Sequence, residues 1–186
     1  MNDDNKQETI DKKERVDFLF KKILRYDFYI NSTNAKASII IAWNSIVIGT
    51  ILLKYNPIIG LYLTPEWAYY VAHVLLIIMA TSSIVSIGFM FQVINPFLLA
   101  GSNDTCSKSL MFFGDISKMS LDEYSKKEIG LTYEEIHSDI IRQAYVLATG
   151  LNNKMKNMQR SITAIYIGLL PFSLLILLKG VVAYVS

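Results

Sequence analysis

Residues 38–53 read SIIIAWNSIVIGTILL, and this stretch without a charged side chain decides the fold class. With Ala37 it forms an apolar run of 17 residues, and two comparable runs extend from Trp67 to about Ala100 and over Ser161–Leu178. A helix that crosses a bilayer core needs about 20 apolar residues at a rise of 1.5 Å each. Helices of soluble proteins seldom lack charge for so long. The sequence therefore predicts an all-α integral membrane protein with about three transmembrane helices and long cytoplasmic helical extensions.

The second apolar run is too long for a single crossing. It either breaks near Gly88 into two short elements or forms one helix that continues beyond the membrane. Proline disfavours helical backbone in the residue before it, and Pro96 follows Asn95. We therefore predict one long helix that ends near Asn95 and Pro96.

The charged residues are concentrated in two segments. The chain of 186 residues is 52% hydrophobic and 18% charged, whereas an ordinary soluble domain is about 25% charged. Almost all of the charges lie in residues 1–36 and 101–160. The net charge of +2 is too small to predict nucleic-acid binding, and the single cysteine, Cys106, excludes an intrachain disulfide framework.

The distribution of lysine and arginine predicts the topology. Most of these residues precede the first or the third run, while only Lys54 lies between the first two runs and only Lys179 follows the third. By the positive-inside rule, the N-terminus and residues 101–160 are cytoplasmic. No signal peptide is recognisable before Ile39, so the first span acts as an uncleaved anchor. The predicted segments are a cytoplasmic amphipathic helix (1–36), transmembrane helix 1 (37–54), a short extracytoplasmic loop (55–66), transmembrane helix 2 (67–95), a cytoplasmic helical segment (96–160), transmembrane helix 3 (161–179) and an extracytoplasmic tail (180–186).

Further helices are predicted within the charged segments. Apolar residues at helical spacing predict an amphipathic helix over residues 9–34, which can run directly into the first span. Capping boxes at Ser120/Glu123 and Thr132/Glu135 begin a short helix, which ends near Gly130, and a long one. The long helix carries a heptad-like apolar stripe that packs against residues 9–34 or a second copy of the chain. The stripe consists of Ile136, Ile140, Ala144, Leu147, Leu151, Met155, Met158 and Ile162.

Polar side chains occur inside the predicted spans. Buried asparagine and serine commonly form hydrogen bonds across membrane helices, and they can also line a wet path. Both interpretations, polar packing and a pore, apply to Asn44, Ser82, Ser83 and Ser86. Each span also carries a pair of small residues four positions apart, which favours close helix packing and a homo-oligomer. These pairs are Ser45/Gly49, Ser82/Ser86 and Ala164/Gly168.

Cationic side chains cluster near the predicted cytoplasmic ends of the first and third spans. They can set the topology and contact anionic lipid. They can also form an anion site between the helical extensions, because the planar donors of arginine suit phosphate. The candidate residues for this site are Arg25, Lys36, Arg142, Lys154, Lys156 and Arg160.

The sequence contains no recognisable catalytic constellation. His73 and His137 are predicted on opposite sides of the membrane, and there is no Walker loop and no GxGxxG motif. The position of His137 beside Asp139 is typical of a solvated helix face rather than of a metal site. We therefore predict a protein that is not an enzyme and has no metal site and no cofactor.

Three stretches have a familiar order and spacing over roughly residues 15–180. They are Asn34-Ala-Lys36-Ala-Ser-Ile-Ile-Ile with Asn44 shortly after it, Leu110-Met-Phe-Phe-Gly-Asp-Ile followed by Ser120-Leu-Asp-Glu-Tyr124, and the helix from Thr132 with Glu134, Ile140, Leu147 and Lys154. In these stretches the chain resembles the transmembrane effector family of Pycsar antiphage defence. It departs from that family at Asn34, where an acidic residue usually stands two positions before the lysine.

The resemblance implies a membrane effector of bacterial antiphage (abortive infection) defence, in the bacterial inner membrane. It implies activation by a cyclic pyrimidine mononucleotide, cCMP or cUMP, which impairs the membrane. The expected partners are the lipid bilayer, this nucleotide and further copies of the chain, but no nucleic acid. Two alternatives remain open: a membrane anchor or scaffold that docks a partner through its cytoplasmic helices, and a ligand-independent pore-forming toxin.

Overall fold

The computed structural model of the chain describes residues 3–96 and 109–185, and their side chains over 11–96 and 109–184. Cys106 and the beginning of the predicted segment 96–160 lie outside the described residues. The described part is 89% helical without a strand, which confirms the all-α fold class. Its helices are α1 (Asp3–Gly60), α2 (Glu66–Ile94), α3 (Phe113–Ile116), α4 (Leu121–Ile129) and α5 (Tyr133–Val185).

Three of these helices, α1, α2 and α5, are long and apolar enough to cross a membrane. The amphipathic segment and the first span form one helix, as predicted. Lys54 interrupts it with non-helical φ and ψ angles of −112° and 16°. Pro57 accounts for this kink, because a proline inside a helix removes one amide donor and clashes with the preceding turn.

Over its described residues, the second apolar run forms one helix, so the prediction of a single long element is confirmed and a break near Gly88 is excluded. α2 ends at Ile94, where the amide of Asn95 donates to the carbonyl oxygen of Phe91 at 3.0 Å. Pro96 follows at once and prevents continuation of the helix.

Both predicted helix starts are also confirmed, the second with the two reciprocal hydrogen bonds of a capping box. The amide of Glu123 donates to Ser120 Oγ at 3.2 Å at the start of α4. At the start of α5, the amide of Thr132 donates to Glu135 Oε2 at 2.9 Å, and the amide of Glu135 donates to Thr132 Oγ1 at 3.3 Å. These hydrogen bonds pair amide groups that a helix N-terminus otherwise leaves without partners, and those from Thr132 lower the pKa of the Glu135 carboxyl group.

The helices are divided between two compact units. The charged unit comprises Met1–Asn31 and Pro96–Asn152, and the apolar unit comprises Ser32–Asn95 and Asn153–Ser186. α1 and α5 each contribute residues to both units, whereas α2 belongs to the apolar unit alone.

Within the apolar unit, α1 and α5 run in one direction and α2 runs in the other. The predicted small pairs of α2 and α5 lie at the contact between these two helices: a Cβ atom added at Gly168 would collide with Ser82 Oγ, and Ala164 is buried. The pair on α1 differs. Ser45 is exposed, and nothing lies close to the open side of Gly49. Two of the three predicted pairs therefore serve packing within the chain.

Candidate functional site

The most buried polar contact of the apolar unit joins all three of its helices. Asn44 Nδ2 on α1 donates to Ser86 Oγ on α2 at 3.1 Å. Ser86 Oγ in turn lies 2.7 Å from Ser161 Oγ on α5, which donates at 3.1 Å to the carbonyl oxygen of Ser86. All three side chains are at most 2% exposed. We call this set the Asn44 network, and sequence reasoning missed its third member, Ser161.

The other two predicted intramembrane residues, Ser82 and Ser83, are buried on α2. Ser82 Oγ donates to the carbonyl oxygen of Met79 at 2.9 Å. Both serines line a largely apolar cavity of about 670 Å³ among α1, α2 and α5, together with Asn44 and Lys179. Every buried side-chain nitrogen or oxygen in the described part of the chain has a hydrogen-bond partner. In this arrangement, Asn44 and Ser86 link two helices, whereas Ser82 forms its hydrogen bond within α2.

A second polar contact among the three helices is formed by Lys154 on α5, which is only 5% exposed. Its Nζ donates to Asn34 Oδ1 on α1 at 3.2 Å and to the carbonyl oxygen of Asn95 at 3.2 Å. It also donates to the carbonyl oxygen of Val93 near the end of α2. An ammonium group has three donors, so all of them are in use. We call Lys154, Asn34, Val93 and Asn95 the Lys154 junction.

The chemistry of the Lys154 junction matches its position at a helix end. The last carbonyl groups of a helix have no partner within the helix and carry partial negative charge, which a cation stabilises. Burial lowers the pKa of Lys154. None of the oxygens that its amine contacts belongs to a carboxylate. Lys154 therefore has no donor left for a phosphate in this arrangement.

The structure divides the six predicted anion-binding cations between the two units. Arg25 and Arg142 lie in the charged unit, and the other four lie in the apolar unit. Arg25 Nε donates to Tyr29 Oη at 3.1 Å, and Arg142 is paired with Asp139 at 3.2 Å. Both arginines are exposed and retain unused donors.

The cations of the apolar unit other than Lys154 are exposed. Arg160 lies over the Phe89 ring at 6.0 Å and donates to Asn157 Oδ1 at 3.3 Å. Lys36 and Lys156 are exposed as well. Since Asn34 of α1 contacts Lys154 of α5 and both helices run in the same direction, Lys36 and Lys156 lie at the same level along the helix axes. Each of the three side chains is open to solvent.

Asp139 organises the charged unit, and sequence reasoning did not identify its role. Its carboxylate accepts hydrogen bonds from Ser109 Oγ at 2.8 Å and from the amides of Leu110 at 3.0 Å and Met111 at 3.2 Å. Arg142 Nη2 donates to the same carboxylate. Asp139 thus fastens the residues that precede α3 to the side of α5.

The charged unit contains an open cavity of about 740 Å³ beside α4 and α5. Its lining includes the Tyr124 ring and two cations, Lys127 and Arg142, each already paired with a carboxylate. Four carboxylates lie on the same lining: Glu128, Glu134, Glu135 and Asp139. Because like charges repel, the lining as a whole disfavours an anion.

The predicted apolar stripe of α5 contacts α1 as expected but leaves out a buried lysine. Ile140 and Ala144 are buried, and Met155, although 42% exposed, accepts at Sδ from Thr33 Oγ1 on α1 at 3.7 Å. Lys154, beside Met155, is buried as well. The buried residues of α5 lie on one side of the helix, and this side includes a lysine at position 154. A stripe assigned from apolar residues alone leaves out Lys154. The amine of Lys154 is buried because the carbonyl groups at the end of α2 accept its hydrogen bonds.

The histidines make aromatic contacts. His137 stacks on Tyr133 with the ring centroids 5.6 Å apart, and His73 Nδ1 lies 2.8 Å from the carbonyl oxygen of Tyr69. Within the described residues, no group of three or more histidine, cysteine, aspartate or glutamate side chains is suited to hold a metal ion.

Comparison with known proteins identifies the family. The family model described as the Pycsar effector protein domain (PycTM) matches residues 18–180, which is most of the chain. No curated protein and no solved structure matches the chain. Together with the three apolar helices, the family match indicates a multi-pass membrane protein of a family whose members are in general non-enzymatic effectors. The chain therefore belongs to the Pycsar effector family and has the role of an antiphage defence effector.

Proposed function

We propose that this protein is a nucleotide-gated effector of the bacterial inner membrane. A cyclic pyrimidine mononucleotide, cCMP or cUMP, binds to the cytoplasmic side of the protein. Binding shifts the three helices of the apolar unit, in an assembly of several copies, to an arrangement that impairs the membrane. The infected cell then stops growing or dies before the phage matures. The charged unit and the N-terminus face the cytoplasm.

The observation that carries this proposal is the continuity of two helices. α1 and α5 pass from the charged unit into the apolar unit, and the only non-helical residue within α1 is Lys54, far from the boundary at Asn31. A change in helix packing on the charged side is therefore passed directly to two of the three spans. A separate anchor domain would not require this continuity.

The charges favour one of two places for the phosphate of the nucleotide. The acid-rich cavity beside α4 disfavours an anion, as described above. Lys36, Lys156 and Arg160 are exposed near the end of the spans, and none of them is paired with a carboxylate of the described residues. We therefore place the phosphate at these three cations.

The energetics require several contacts. A change in population from 1:99 to 99:1 needs about 5.5 kcal/mol of differential binding. A hydrogen bond to a charged group contributes about 1.5–3 kcal/mol. One phosphate contact is thus insufficient, whereas three cations, or ligands bound to several subunits, are enough.

Charge reversal tests the proposed phosphate site. In the double variant Lys156→Glu/Arg160→Glu, the expected result is loss of cCMP- and cUMP-dependent toxicity. Nucleotide affinity should fall by a factor on the order of 100 or more, because two charge-assisted contacts become repulsive. Titration calorimetry of the detergent-purified protein measures the affinity, and growth after expression together with a pyrimidine cyclase measures toxicity.

The matched control reverses two exposed lysines of the charged unit, Lys118→Glu/Lys126→Glu. This variant has the same change in net charge and should keep wild-type toxicity. Full toxicity of Lys156→Glu/Arg160→Glu at wild-type expression would contradict the phosphate site. The two alternative functions give different results in the same calorimetry: a scaffold or a ligand-independent toxin binds none of cCMP, cUMP, cAMP and cGMP.

A further inference from the structure

The chain passes between its two units at three places, and the Lys154 junction lies beside all of them. The passages follow Asn31, Asn95 and Asn152. Lys154 is the second residue after the third passage. Its amine contacts Asn34, three residues after the first passage, and Asn95, the last residue before the second. The side chain of Lys154 thus links the three places at which the chain enters or leaves the apolar unit.

The Lys154 junction favours one arrangement of the three helices. When α1, α2 and α5 are together, the buried amine and the last carbonyl groups of α2 satisfy one another. If α5 moves away from α2, these groups lose their partners, and an unpaired buried polar group is costly. The junction adjoins a small hydrophobic cluster in which Ala37, Met90 and Val93 are completely buried.

The partners of Lys154 also make the junction suitable for a reversible switch. Its amine contacts amide oxygens, including Asn34 Oδ1, and no carboxylate of the described residues pairs with it. Charged partners bind an ammonium group more strongly than neutral ones do. The junction is therefore strong enough to order the helix ends but weaker than a buried ion pair.

We propose that the Lys154 junction stabilises the resting state of the effector and that activation separates its three helix ends. This proposal rests on the proposed function, since it concerns the step between nucleotide binding and membrane damage. It assigns Lys154 to gating rather than to contact with the nucleotide.

The first test removes the donors of Lys154. Lys154→Met keeps a long side chain but has no hydrogen-bond donor. Proteoliposomes containing this variant should release an entrapped dye without nucleotide. The release rate should exceed that of the wild type by a factor on the order of 10 or more, which corresponds to the loss of one charge-assisted hydrogen bond. Lys118→Met, at an exposed lysine of the charged unit that lies outside both the junction and the proposed phosphate site, is the matched control and should release dye no faster than the wild type.

The second test strengthens the junction. Asn34→Asp replaces an amide oxygen by a carboxylate of the same size, so that Lys154 gains an ion-pair partner. The resting state becomes more stable, and the half-maximal cCMP or cUMP concentration for dye release should rise by a factor on the order of 10. Asn56→Asp, at an exposed position of α1 outside the junction, should leave that concentration unchanged.

The outcomes separate this proposal from the proposed function. If Lys154→Met folds and its proteoliposomes release dye no faster than those of the wild type, the gating role of the junction is overturned. If Lys154→Met does not fold, an unchanged half-maximal concentration for Asn34→Asp overturns it instead. Dye release by Lys154→Met without nucleotide supports the gating role of the junction even if the wild type does not respond to cCMP or cUMP. A wild type that does not respond would contradict only the proposed activating ligand.

Discussion

Replacing Asp139 by alanine is expected to destabilise the charged unit by about 3 kcal/mol or more, because each hydrogen bond to a charged group contributes about 1.5–3 kcal/mol and neighbouring bonds are not additive. The carboxylate of Asp139 accepts from Ser109 Oγ and from the amides of Leu110 and Met111. Without it, Leu110 and Met111 lose their hydrogen bonds to α5, while Ser109 Oγ retains the one that Gln143 Nε2 donates. Hydrogen–deuterium exchange should show the amides of Leu110 and Met111 exchanging about 100-fold faster.

Two further variants define the cause of this effect. Asp139→Asn keeps one oxygen acceptor and should give an intermediate exchange rate. Asp122→Ala removes an exposed carboxylate from the first turn of α4, and a charge near a helix end contributes only about 0.3–1 kcal/mol. Exchange at Leu110 and Met111 should therefore be unchanged in this control. Wild-type protection in Asp139→Ala would contradict the role assigned to the carboxylate.

Substitution of Ser86 by leucine is expected to be the most damaging change in the apolar unit. Ser86 is completely buried between α1 and α5. A leucine there must displace one of these helices, which costs about 1–3 kcal/mol, and it also removes the hydrogen bonds of the Asn44 network. The sum is about 3 kcal/mol, measured as the change in free energy of unfolding in mixed micelles.

The matched variants separate packing from hydrogen bonding. Ser86→Ala removes only the hydroxyl group, and interhelical hydrogen bonds in membranes contribute about 0.6 kcal/mol on average, so its effect should be about 1 kcal/mol. Thr81→Leu, on an exposed position of the same helix, should be nearly neutral. Equal destabilisation by Ser86→Ala and Ser86→Leu would show that close packing at this position is unimportant.

Local sequence rules predict the helices of this protein well, because each depends on nearby residues. The charge-free run at 38–53 places the first span, Pro96 ends α2, and the Thr132/Glu135 pair begins α5. These features need only a count of charges, a proline or a capping motif. The kink at Lys54 is likewise a local feature, because Pro57 lies three residues later in the chain.

Contacts between helices are less predictable, because they depend on how the helices are rotated. Asn44 and Ser86 stand out as polar residues in apolar spans, but their pairing with Ser161 is visible only in three dimensions. Lys154 is the clearest example. A lysine beside Lys156 in a polar stretch is expected on the surface, and only the carbonyl groups at the end of α2 explain its burial.

The candidate cations illustrate the same limit. Their number and their proximity to the spans are evident in the sequence, but the distinction between Lys154, whose donors are all in use, and the exposed Lys156 requires coordinates. A regular alternation of three and four residues along α5, continued through polar positions, would have pointed to Lys154 and Ser161 as inward-facing residues.

Dye release from proteoliposomes on addition of cyclic nucleotides tests the central claim most directly. Purified wild-type protein is reconstituted without a cyclase, and cCMP, cUMP, cAMP and cGMP are added separately. The account predicts that cCMP or cUMP triggers release, that cAMP and cGMP do not, and that Lys156→Glu/Arg160→Glu abolishes the response. Liposomes that retain the dye with every nucleotide, or that release it equally fast without nucleotide, would contradict gating by a cyclic pyrimidine nucleotide.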